Sequence, residues 1–480
     1  MSSNDVSIVR RSAREQLAML QAHELSATEL LSETKNRYER TNPAVNAVVS
    51  VDFDAAEQAA AASDMRRAEG LPARPLEGLP VVVKDLEETA GLRTTYGSLR
   101  YATAVPDYDT LLVQRLREAG AVIYGKSNTP EFGTGSHTYN RVFGTTTNPF
   151  NTTRSAGGSS GGAAAALAMG LSSVADGSDM GGSLRNPAAF CNVVGLRPSI
   201  GRVPNWPSAN GWETLSTNGP MARTVDDAAL LLSVIAGADP RTPLAFPDQM
   251  GSQVQPVAQP LRIGWSRTLG GLDIQPEITK VLDRDGLETL RELGHTVRDV
   301  EPDMRGADEA FRTLRGLNYA HTFASMVRDH RQDLGSELIA NTEAGLSLTS
   351  RDLFAAREQR TRVYDRMAEL FETIDVLAAP VTSVLPFDIQ ETWPREINGV
   401  QQRDYLEWMR ASWRISLTGY VAISVPCGFS SDGLPVGLHL IAPPRSEGLI
   451  LSIAKQFEQA RPLWLTEPPA FSLHPSYPTP

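Results

Sequence analysis

The sequence predicts an α/β protein, because short apolar runs rich in β-branched residues alternate with segments of helical periodicity. The run "GLPVVVKD" at 78–85 predicts a buried strand, and "TLLVQRLREAGAVIYGK" at 110–126 predicts a helix, a glycine stop and a second strand. Near the end of the chain, "YVAISVPCGF" and "LPVGLHLIA" resemble two strands joined by the turn "SSDG". Helices and strands therefore follow one another through most of the chain.

The first part of the chain, residues 10–70, is predicted to be helical. Ser26 and Glu29 form a capping-box pattern before a polar helix. An alanine-rich segment continues the pattern and stops at Gly70. These helices are interpreted as packing scaffold.

The remaining elements alternate in the same way. The predicted helices are the alanine run after residue 162, 226–237, the amphipathic stretch 276–294 and most of 305–373; the predicted strands are 261–266, 295–300 and 374–381. Residues 238–260 and 384–404 are predicted to be irregular connections, and the six prolines from Pro462 onward to form a surface tail.

No change of composition divides the chain, so one domain over residues 1–480 is expected. Its parts are the N-terminal helices 1–75, a central core 76–235, the remaining sheet, helices and pocket segments 236–460, and the proline-rich tail 461–480.

Composition excludes several classes of protein. The 480 residues are 41% hydrophobic, enough for a large core, and a net charge of −11 disfavours nucleic-acid binding by the general surface. The N-terminus lacks an apolar signal region, and no apolar run reaches the roughly 18 residues of a membrane span. Cys191 and Cys427 lie in apolar surroundings and are interpreted as buried thiols in a reducing compartment, with a nucleophilic cysteine as the alternative. A cytoplasmic protein is expected; its oligomeric state, including a homodimer, stays open.

Glycine is concentrated at Gly157–Gly162, directly before a helix, although glycine is costly to order. A flexible linker fits poorly because the helix follows at once. A phosphate-binding loop is the second interpretation, but the Gly-Lys-Ser/Thr ending of a Walker loop is missing. The third is a catalytic loop that presents serine hydroxyls close to another group.

A second glycine loop, "GSDMGGSLR" at Gly177–Arg185, favours the third interpretation. The backbone N–H groups of Met180, Gly181, Gly182 and Ser183 could converge on one point and bind an anion. In acyl transfer that anion is the tetrahedral oxyanion, and Ser183 would be the nucleophile.

A serine nucleophile needs a base, and two residues are candidates. His137 is the histidine nearest to the glycine loops, either as a base or as a residue that lines a loop or pocket. Lys84 ends a buried strand, where desolvation lowers the pKa of its amine so that it can accept a proton. Strand alternation turns Asp85 to the opposite face. Taken alone, Lys84 is also compatible with a surface lysine at a strand end.

The combination of "PVVVKD", "GGSSGG" and "GSDMGGSLR", with its spacing, resembles the amidase signature family. The segments "GKSNTPEF", "NVVGLRPSIGRVP" and "AISVPCGFSSDGLPVGLHLIA" also resemble the family, most densely over 75–235. The resemblance implies a large mixed β-sheet covered by helices on both faces.

The resemblance also implies roles for individual residues. Ser183 would be the acyl-accepting nucleophile, Ser159 a bridging serine after a cis peptide bond, and Lys84 the base. Ser160 would support them, and Asp179 with Arg185 would hold the nucleophile loop, unless they are a turn aspartate and a surface arginine. This chemistry needs no metal and no organic cofactor.

The substrate is expected to be a small-molecule carboxylic amide, with a preference for apolar or aryl amides; esters and carbamates also present an attackable carbonyl. The pocket walls are expected to come from "EFGTGSHTYN", "NWPSANGW" and the segments around 310–325 and 400–415. Gly133, Thr134, His137 and Trp212 are candidate pocket residues. Trp206, Trp408 and Trp413, with Trp212, could line an acyl pocket or could lie in the core or on the surface.

Two rival functions remain. The glutamine-hydrolysing component (the A chain) of the tRNA-dependent amidotransferase supplies ammonia to a partner, but "NTPEFGTGS" departs from the "NMDEFAMGS" pattern associated with it. A phosphate-binding regulatory module is the other rival, and the missing Walker features count against it.

Overall fold

A computed structural model describes residues 7–247 and 251–472 of the chain. The α-helices are α1 (Ala13–Gln21), α2 (Ala27–Val45), α3 (Phe53–Ala68), α4 (Leu111–Glu118), α5 (Gly161–Met169), α6 (Arg185–Phe190), α7 (Val225–Ile235), α8 (Pro276–Val281), α9 (Glu288–Glu292), α10 (Ala307–His330), α11 (Ser336–Leu346), α12 (Ser350–Phe371), α13 (Arg410–Thr418) and α14 (Glu447–Ala460). The strands are β1 (Val48–Val51), β2 (Pro80–Lys84), β3 (Val122–Ser127), β4 (Tyr139–Asn140), β5 (Gly144–Thr145), β6 (Thr147–Asn148), β7 (Asn151–Ser155), β8 (Val174–Asp179), β9 (Val194–Arg197), β10 (Thr217–Ala222), β11 (Arg262–Trp265), β12 (Thr296–Asp299), β13 (Val376–Pro380), β14 (Glu396–Ile397), β15 (Val400–Gln401), β16 (Val421–Phe429) and β17 (Pro435–Ala442).

Eleven of the described strands form one mixed sheet, in the order β1-β3-β2-β8-β10-β9-β16-β17-β13-β11-β12. β3, β2 and β8 are parallel neighbours. The central strands from β8 to β13 pair antiparallel, and β13, β11 and β12 are again parallel. The sheet therefore joins strands from early and late parts of the chain.

Both faces of the central strands are covered. Every residue of β2, β13 and β17 is buried, although successive side chains point to opposite faces. Such strands occur where helices cover both sides of a sheet. The predicted α/β class with a large mixed sheet is confirmed.

One prediction for the N-terminal region is wrong. Within 10–70, Val48–Val51 forms strand β1, which pairs antiparallel with β3 at the edge of the sheet. The prediction failed because this stretch has only four residues, three valines and a serine, and the sequence on both sides of it favours helix. A strand's preference depends on its partner more than a helix's does, and the partner lies far along the chain.

Most other elements agree with the sequence pattern, with local differences. The connection 384–404, predicted to be irregular, contains the short antiparallel pair β14 and β15. The predicted helix at 276–294 contains a π-helical segment, Leu282–Leu287, between α8 and α9. The predicted tail begins with a short 3₁₀ turn, Leu463–Leu465. Arg10 donates hydrogen bonds to the backbone carbonyl oxygens of Trp464 and Thr466 in this tail. Residues 473–480 of the tail lie outside the described residues. Within the described chain, no helix combines the length and apolar character needed to cross a membrane.

Candidate active site

The candidate site lies where the parallel strands β2 and β8 end. Lys84 is the last residue of β2, and β8 ends at Asp179, before the loop that carries Ser183. In open α/β sheets, ligands bind at the carboxyl ends of the strands. The first glycine loop reaches the same edge, because the Ser160 N–H donates to the Ser183 carbonyl oxygen at 3.3 Å.

The amine of Lys84 is surrounded by serine hydroxyls. Its Nζ lies 2.8 Å from Ser159 Oγ, 2.8 Å from Ser160 Oγ and 3.1 Å from Ser178 Oγ. The side chain is 1% exposed. A neutral amine has two N–H donors and one lone pair, so one of three hydroxyls must donate to it. The geometry therefore allows proton transfer from a serine to Lys84.

Burial lowers the pKa of Lys84 to about 8, against the opposing charges of Asp176, Glu87 and Asp179. Asp176 also fixes the strand end, because its Oδ1 accepts the Lys84 backbone N–H at 2.8 Å. At a pH near that value about half of this amine is uncharged, and the neutral form is the one that a general base requires.

The first glycine loop is crowded by neighbouring backbone. The peptide bond between Gly158 and Ser159 is cis. A Cβ on Gly162 would lie 2.2 Å from the Asn128 backbone nitrogen, and one on Gly158 would lie 3.1 Å from the His137 nitrogen. Glycine is needed here because the start of α5 packs directly against the chain that follows β3.

The second glycine loop is held by a buried charge network. Asp179 accepts hydrogen bonds from Arg185 at 2.9 and 3.0 Å, and Arg197 donates to its carboxylate and its carbonyl oxygen. Burial opposes ionisation, but the two guanidinium groups outweigh it and hold the pKa of Asp179 well below its usual range. Both partners in the Asp179–Arg185 ion pair are fully buried, so the alternative of a turn aspartate and a surface arginine is wrong.

One of the predicted anion-binding amides is engaged elsewhere. The Gly182 N–H donates to Asp179 Oδ1 at 2.8 Å. Gly182 has a φ of +108°, and a Cβ there would lie 2.5 Å from the Ser412 Cβ. Its role in the loop is therefore to make a tight turn, and its assignment to the anion-binding group is corrected. Met180, Gly181 and Ser183 line the cavity described next.

Two adjoining cavities open at this edge. The inner cavity, about 170 Å³, is bordered by Ser159, Ser178 and Ser183. The outer cleft, about 550 Å³, shares Ser178, Met180, Phe132, Leu86, Ser216 and Tyr319 with it. Ser159 and Ser183 therefore border the same inner cavity, which adjoins the larger outer cleft.

The sequence-predicted pocket residues fall into two groups. Gly133 lines the inner cavity. Thr134 is not among the described residues that line either cavity, and its Oγ1 lies 3.0 Å from the hydroxyl of the lining residue Tyr319, so its assignment is corrected to a contact of the wall. Among the described residues that line the two cavities, His137 and Trp212 are absent. Trp212 is 71% exposed, and the His137 ring nitrogens lie 2.7 Å from Ser155 Oγ and 3.3 Å from the Ile389 carbonyl oxygen. Both assignments are corrected, and His137 is a structural contact rather than a base.

Comparison with known proteins assigns the family. The family model described as Amidase matches residues 29–451. The chain belongs to the amidase family. It is 34% identical over 471 residues to an acylamidase of Rhodococcus erythropolis, a match that covers 96% of this chain and 98% of that protein. It is 35% identical over 484 residues to the A chain of the Glutamyl-tRNA(Gln) amidotransferase of Prochlorococcus marinus, covering 94% and 97%.

A solved structure gives the same result. A bacterial aryl acylamidase of the amidase signature family superposes with a TM-score of 0.88 at 29% identity, covering 97% of this chain and 99% of that one. The present amidase is thus a hydrolase of the carbon–nitrogen bonds of amides.

The tryptophan hypothesis for the acyl pocket of the amidase is wrong. Trp408 and Trp413 are fully buried in the core, where they stack on Phe190 and Phe311. Trp206 lies under the Arg241 guanidinium, 4.2 Å from its centre. The aromatic residues that line the outer cleft of the amidase are Tyr96, Tyr101, Phe132, Tyr319 and Phe323.

Several residues of the amidase site were not singled out individually from the sequence. Ser178 lies in the second glycine loop, Gly177–Arg185, which also carries Ser183, so the sequence could have indicated it as a site residue. Arg315 and Tyr405 line the inner cavity and lie in the segments around 310–325 and 400–415 that were expected in the pocket walls, but no motif singles out either residue. Its spacing could have indicated that Arg315 is buried, because it lies four residues after Phe311 and four before Tyr319 on the buried face of α10.

Proposed function

We propose that the amidase acts through a Ser183 acyl-enzyme, with Lys84 as the base and Ser159 as the hydroxyl that relays the proton. The observation that carries this proposal is the buried Lys84 amine, 2.8 Å from Ser159 Oγ in the wall of the cavity that Ser183 lines. Ser160 and Ser178 orient the same amine.

The reaction runs in two stages. Neutral Lys84 takes the Ser159 proton as Ser159 takes that of Ser183, and Ser183 Oγ bonds to the amide carbon. The carbonyl electron pair moves to oxygen, which the backbone N–H groups of Met180, Gly181 and Ser183 stabilise. The proton returns through Ser159 to the amine nitrogen as the carbon–nitrogen bond breaks. Water then attacks the ester, gives a proton along the same path and releases the acid and Ser183.

The outer cleft favours an aryl or apolar group on the amine side of the substrate. Phe132 lines the cleft, and its ring centroid lies 5.7 Å from that of Tyr96, 6.0 Å from that of Tyr101 and 5.2 Å from that of Phe323. Aromatic rings at these distances provide edge and face contacts for a further ring. The acylamidase and aryl acylamidase relatives support anilides as first test substrates. Aryl esters and carbamates offer the same carbonyl carbon and are expected to react as well.

A second candidate is glutamine hydrolysis for a tRNA-modifying partner. The 35% identity to the A chain of an amidotransferase supports it. The two functions separate in one assay. An independent amidase hydrolyses anilides alone, whereas an amidotransferase component would release ammonia from glutamine and depend on its partner for full rate.

The decisive experiment replaces the nucleophile. Ser183→Ala should lower kcat/KM for an anilide by at least about 10⁴-fold, and it should abolish labelling by a fluorophosphonate. Ser431→Ala, at an exposed turn position, is the matched control and should behave as the wild type. Unchanged labelling of the Ser183→Ala protein, or near-native turnover, would overturn the proposal.

A further inference from the structure

Arg315 is a buried cation in the wall of the inner cavity. It lies on α10, is 6% exposed, and borders the same space as Ser159 and Ser183. The proposed proton relay does not use it. A charge held at this depth is costly unless an anion or a full set of hydrogen bonds compensates it.

The contacts of Arg315 are all with uncharged groups. Its guanidinium donates to the Tyr319 hydroxyl at 2.7 Å, to the Tyr405 hydroxyl and to Met180 Sδ at 3.1 Å. The ring of Tyr319 lies 4.1 Å below it. Its Nε has no hydrogen-bond partner among the described residues. Over that same part of the chain, no carboxylate forms an ion pair with it within 4.0 Å.

Other arginines close to this one have carboxylate partners. Arg312, three residues earlier on α10, contacts Asp404 at 2.6 Å and Glu407 at 2.7 Å. Arg414 is also buried and contacts Asp308 at 2.8 and 3.0 Å. Arg315 therefore differs from these two neighbours in facing a cavity without a carboxylate partner.

The neighbouring groups add a second donor to the same wall. Tyr405 Oη accepts from Arg315 and from Asn341 Nδ2 at 3.0 Å, so its own proton is left for another acceptor. Burial raises the pKa of Tyr405, which keeps that proton in place. A guanidinium beside a hydroxyl donor suits the two oxygens of a carboxylate.

The outer cleft has the opposite electrostatic character. Its described lining residues include Glu87, Glu88 and Glu213 but no lysine, arginine or histidine. The whole chain carries a net charge of −11. The negative charge of the outer cleft and of the whole chain repels anions. A preference for an anionic substrate would therefore need the positive charge of Arg315.

We propose that Arg315 and Tyr405 bind a carboxylate on the acyl part of the substrate, so that the preferred substrates are amides of short dicarboxylic acids. The small inner cavity, about 170 Å³, favours a short acyl chain, while the amine part extends into the outer cleft. This inference rests on the proposed function, because it requires Ser183 to attack the carbonyl in the same cavity.

The test compares two anilides that differ in one group. Succinanilate and butyranilide have acyl chains of equal carbon count, but the first ends in a carboxylate and the second in a methyl. A charged hydrogen-bond pair of this kind is expected to favour succinanilate in kcat/KM by about 10-fold or more in the wild type. The ratio should fall to about 1 or below in Arg315→Met, and Arg315→Lys should keep part of it.

The control is Arg328→Met, on the same helix, where the arginine is exposed and contacts Asp329. It should keep the wild-type ratio. Free succinate should inhibit butyranilide hydrolysis competitively in the wild type and in Arg328→Met, and more weakly in Arg315→Met. If Arg315→Met does not fold, the wild-type ratio, succinate inhibition and Arg315→Lys decide the question.

The outcomes separate the two proposals. Ser183-dependent hydrolysis of butyranilide at least as efficient as that of succinanilate would overturn the carboxylate site and leave the amidase mechanism standing. A succinanilate preference that survives in Arg315→Met would also overturn it. No Ser183-dependent turnover of either anilide would overturn the proposed function itself.

Discussion

Two lysines stand side by side in this sheet, and they have different surroundings. Lys84 ends β2 and Lys126 lies near the end of the parallel neighbour β3, where it pairs with Val83 in the ladder. Their exposed fractions are 1% and 0%, and burial lowers the pKa of both. Directly paired residues point to the same face, so Lys126 and Lys84 point to opposite faces.

The contacts of the two amines explain the difference. Lys84 Nζ touches three serine hydroxyls beside a cavity. Lys126 Nζ donates to the Glu87 carbonyl oxygen and, at 2.9 Å, to Thr89 Oγ1, in the field of Asp85 and Asp176. Carboxylates lie near both amines and do not distinguish them. A carbonyl oxygen can only accept a hydrogen bond from the Lys126 amine, whereas the three serine hydroxyls around Lys84 can also give it a proton. Burial alone therefore does not make a base; the partners and access to substrate do.

Removing the two amines gives the strongest test of this comparison. Lys84→Met should lower kcat/KM by about 10³–10⁴-fold, because no group remains to take the serine proton. Lys126→Met should keep wild-type kcat/KM per folded molecule and instead lower the free energy of unfolding by roughly 1–3 kcal/mol, since it leaves buried acceptors unpaired. Kinetics and urea unfolding of both variants measure this. If Lys126→Met does not fold, Thr89→Val removes one of the same contacts. Equal loss of activity at both positions would break the comparison.

The three hydroxyls around Lys84 can be ranked in the same way. Ser159→Ala should cost about 10³-fold in kcat/KM, because it interrupts the proton path. Ser160→Ala and Ser178→Ala each remove one contact of the amine and should cost roughly 10-fold. Steady-state kinetics on one anilide is sufficient. A loss at Ser178 as large as that at Ser159 would move the relay to a different serine.

The sequence predicted Lys84, Ser159 and Ser183 because each lies in a short motif whose residues are neighbours along the chain. The alternation of helices and strands was predictable for the same local reason. β1 was missed, since the preference of Val48–Val51 depends on pairing with β3. Whether Trp408 and Trp413 line a pocket or lie in the core could not be decided from the sequence, because burial against Phe190 and Phe311 is a long-range property. The segment around 310–325 was expected in the pocket wall, but Arg315 itself was not singled out because nothing local shows that it faces a cavity without an anion.

The pH dependence should separate the two lysines further. The pKa of Lys84 is lowered to about 8, and only its neutral form can act as a base. kcat/KM should therefore rise about tenfold per pH unit below that value and level off above it. In the Lys126→Met variant, this rising part of the pH profile, the acidic limb of kcat/KM, should stay near the same pH. A rate that is flat across the range would remove Lys84 from the rate-limiting proton transfer.

The smallest expected effect comes from removing the negative charge of Glu87, which acts on Lys84. Burial and Asp176 raise the pKa of Glu87 to about 7, so at pH 8 it is mostly ionised, and its charge raises the pKa of Lys84. Glu87→Gln keeps the shape that contacts Thr110 and Asn218 but removes the charge. The acidic limb of kcat/KM should then move to lower pH by a few tenths of a unit.

The matched control for this charge change is Glu88→Gln. Glu88 is the next carboxylate along the chain, and it accepts hydrogen bonds from Tyr96 at 2.7 Å and Tyr108 at 3.1 Å. It is not among the charges that shift the pKa of Lys84, whereas it does act on Lys126. Glu88→Gln should therefore leave the limb in place, even where it changes affinity in the outer cleft. A shift of the limb to higher pH in Glu87→Gln, or an equal shift in both variants, would mean that the group titrating in the rate profile is not Lys84.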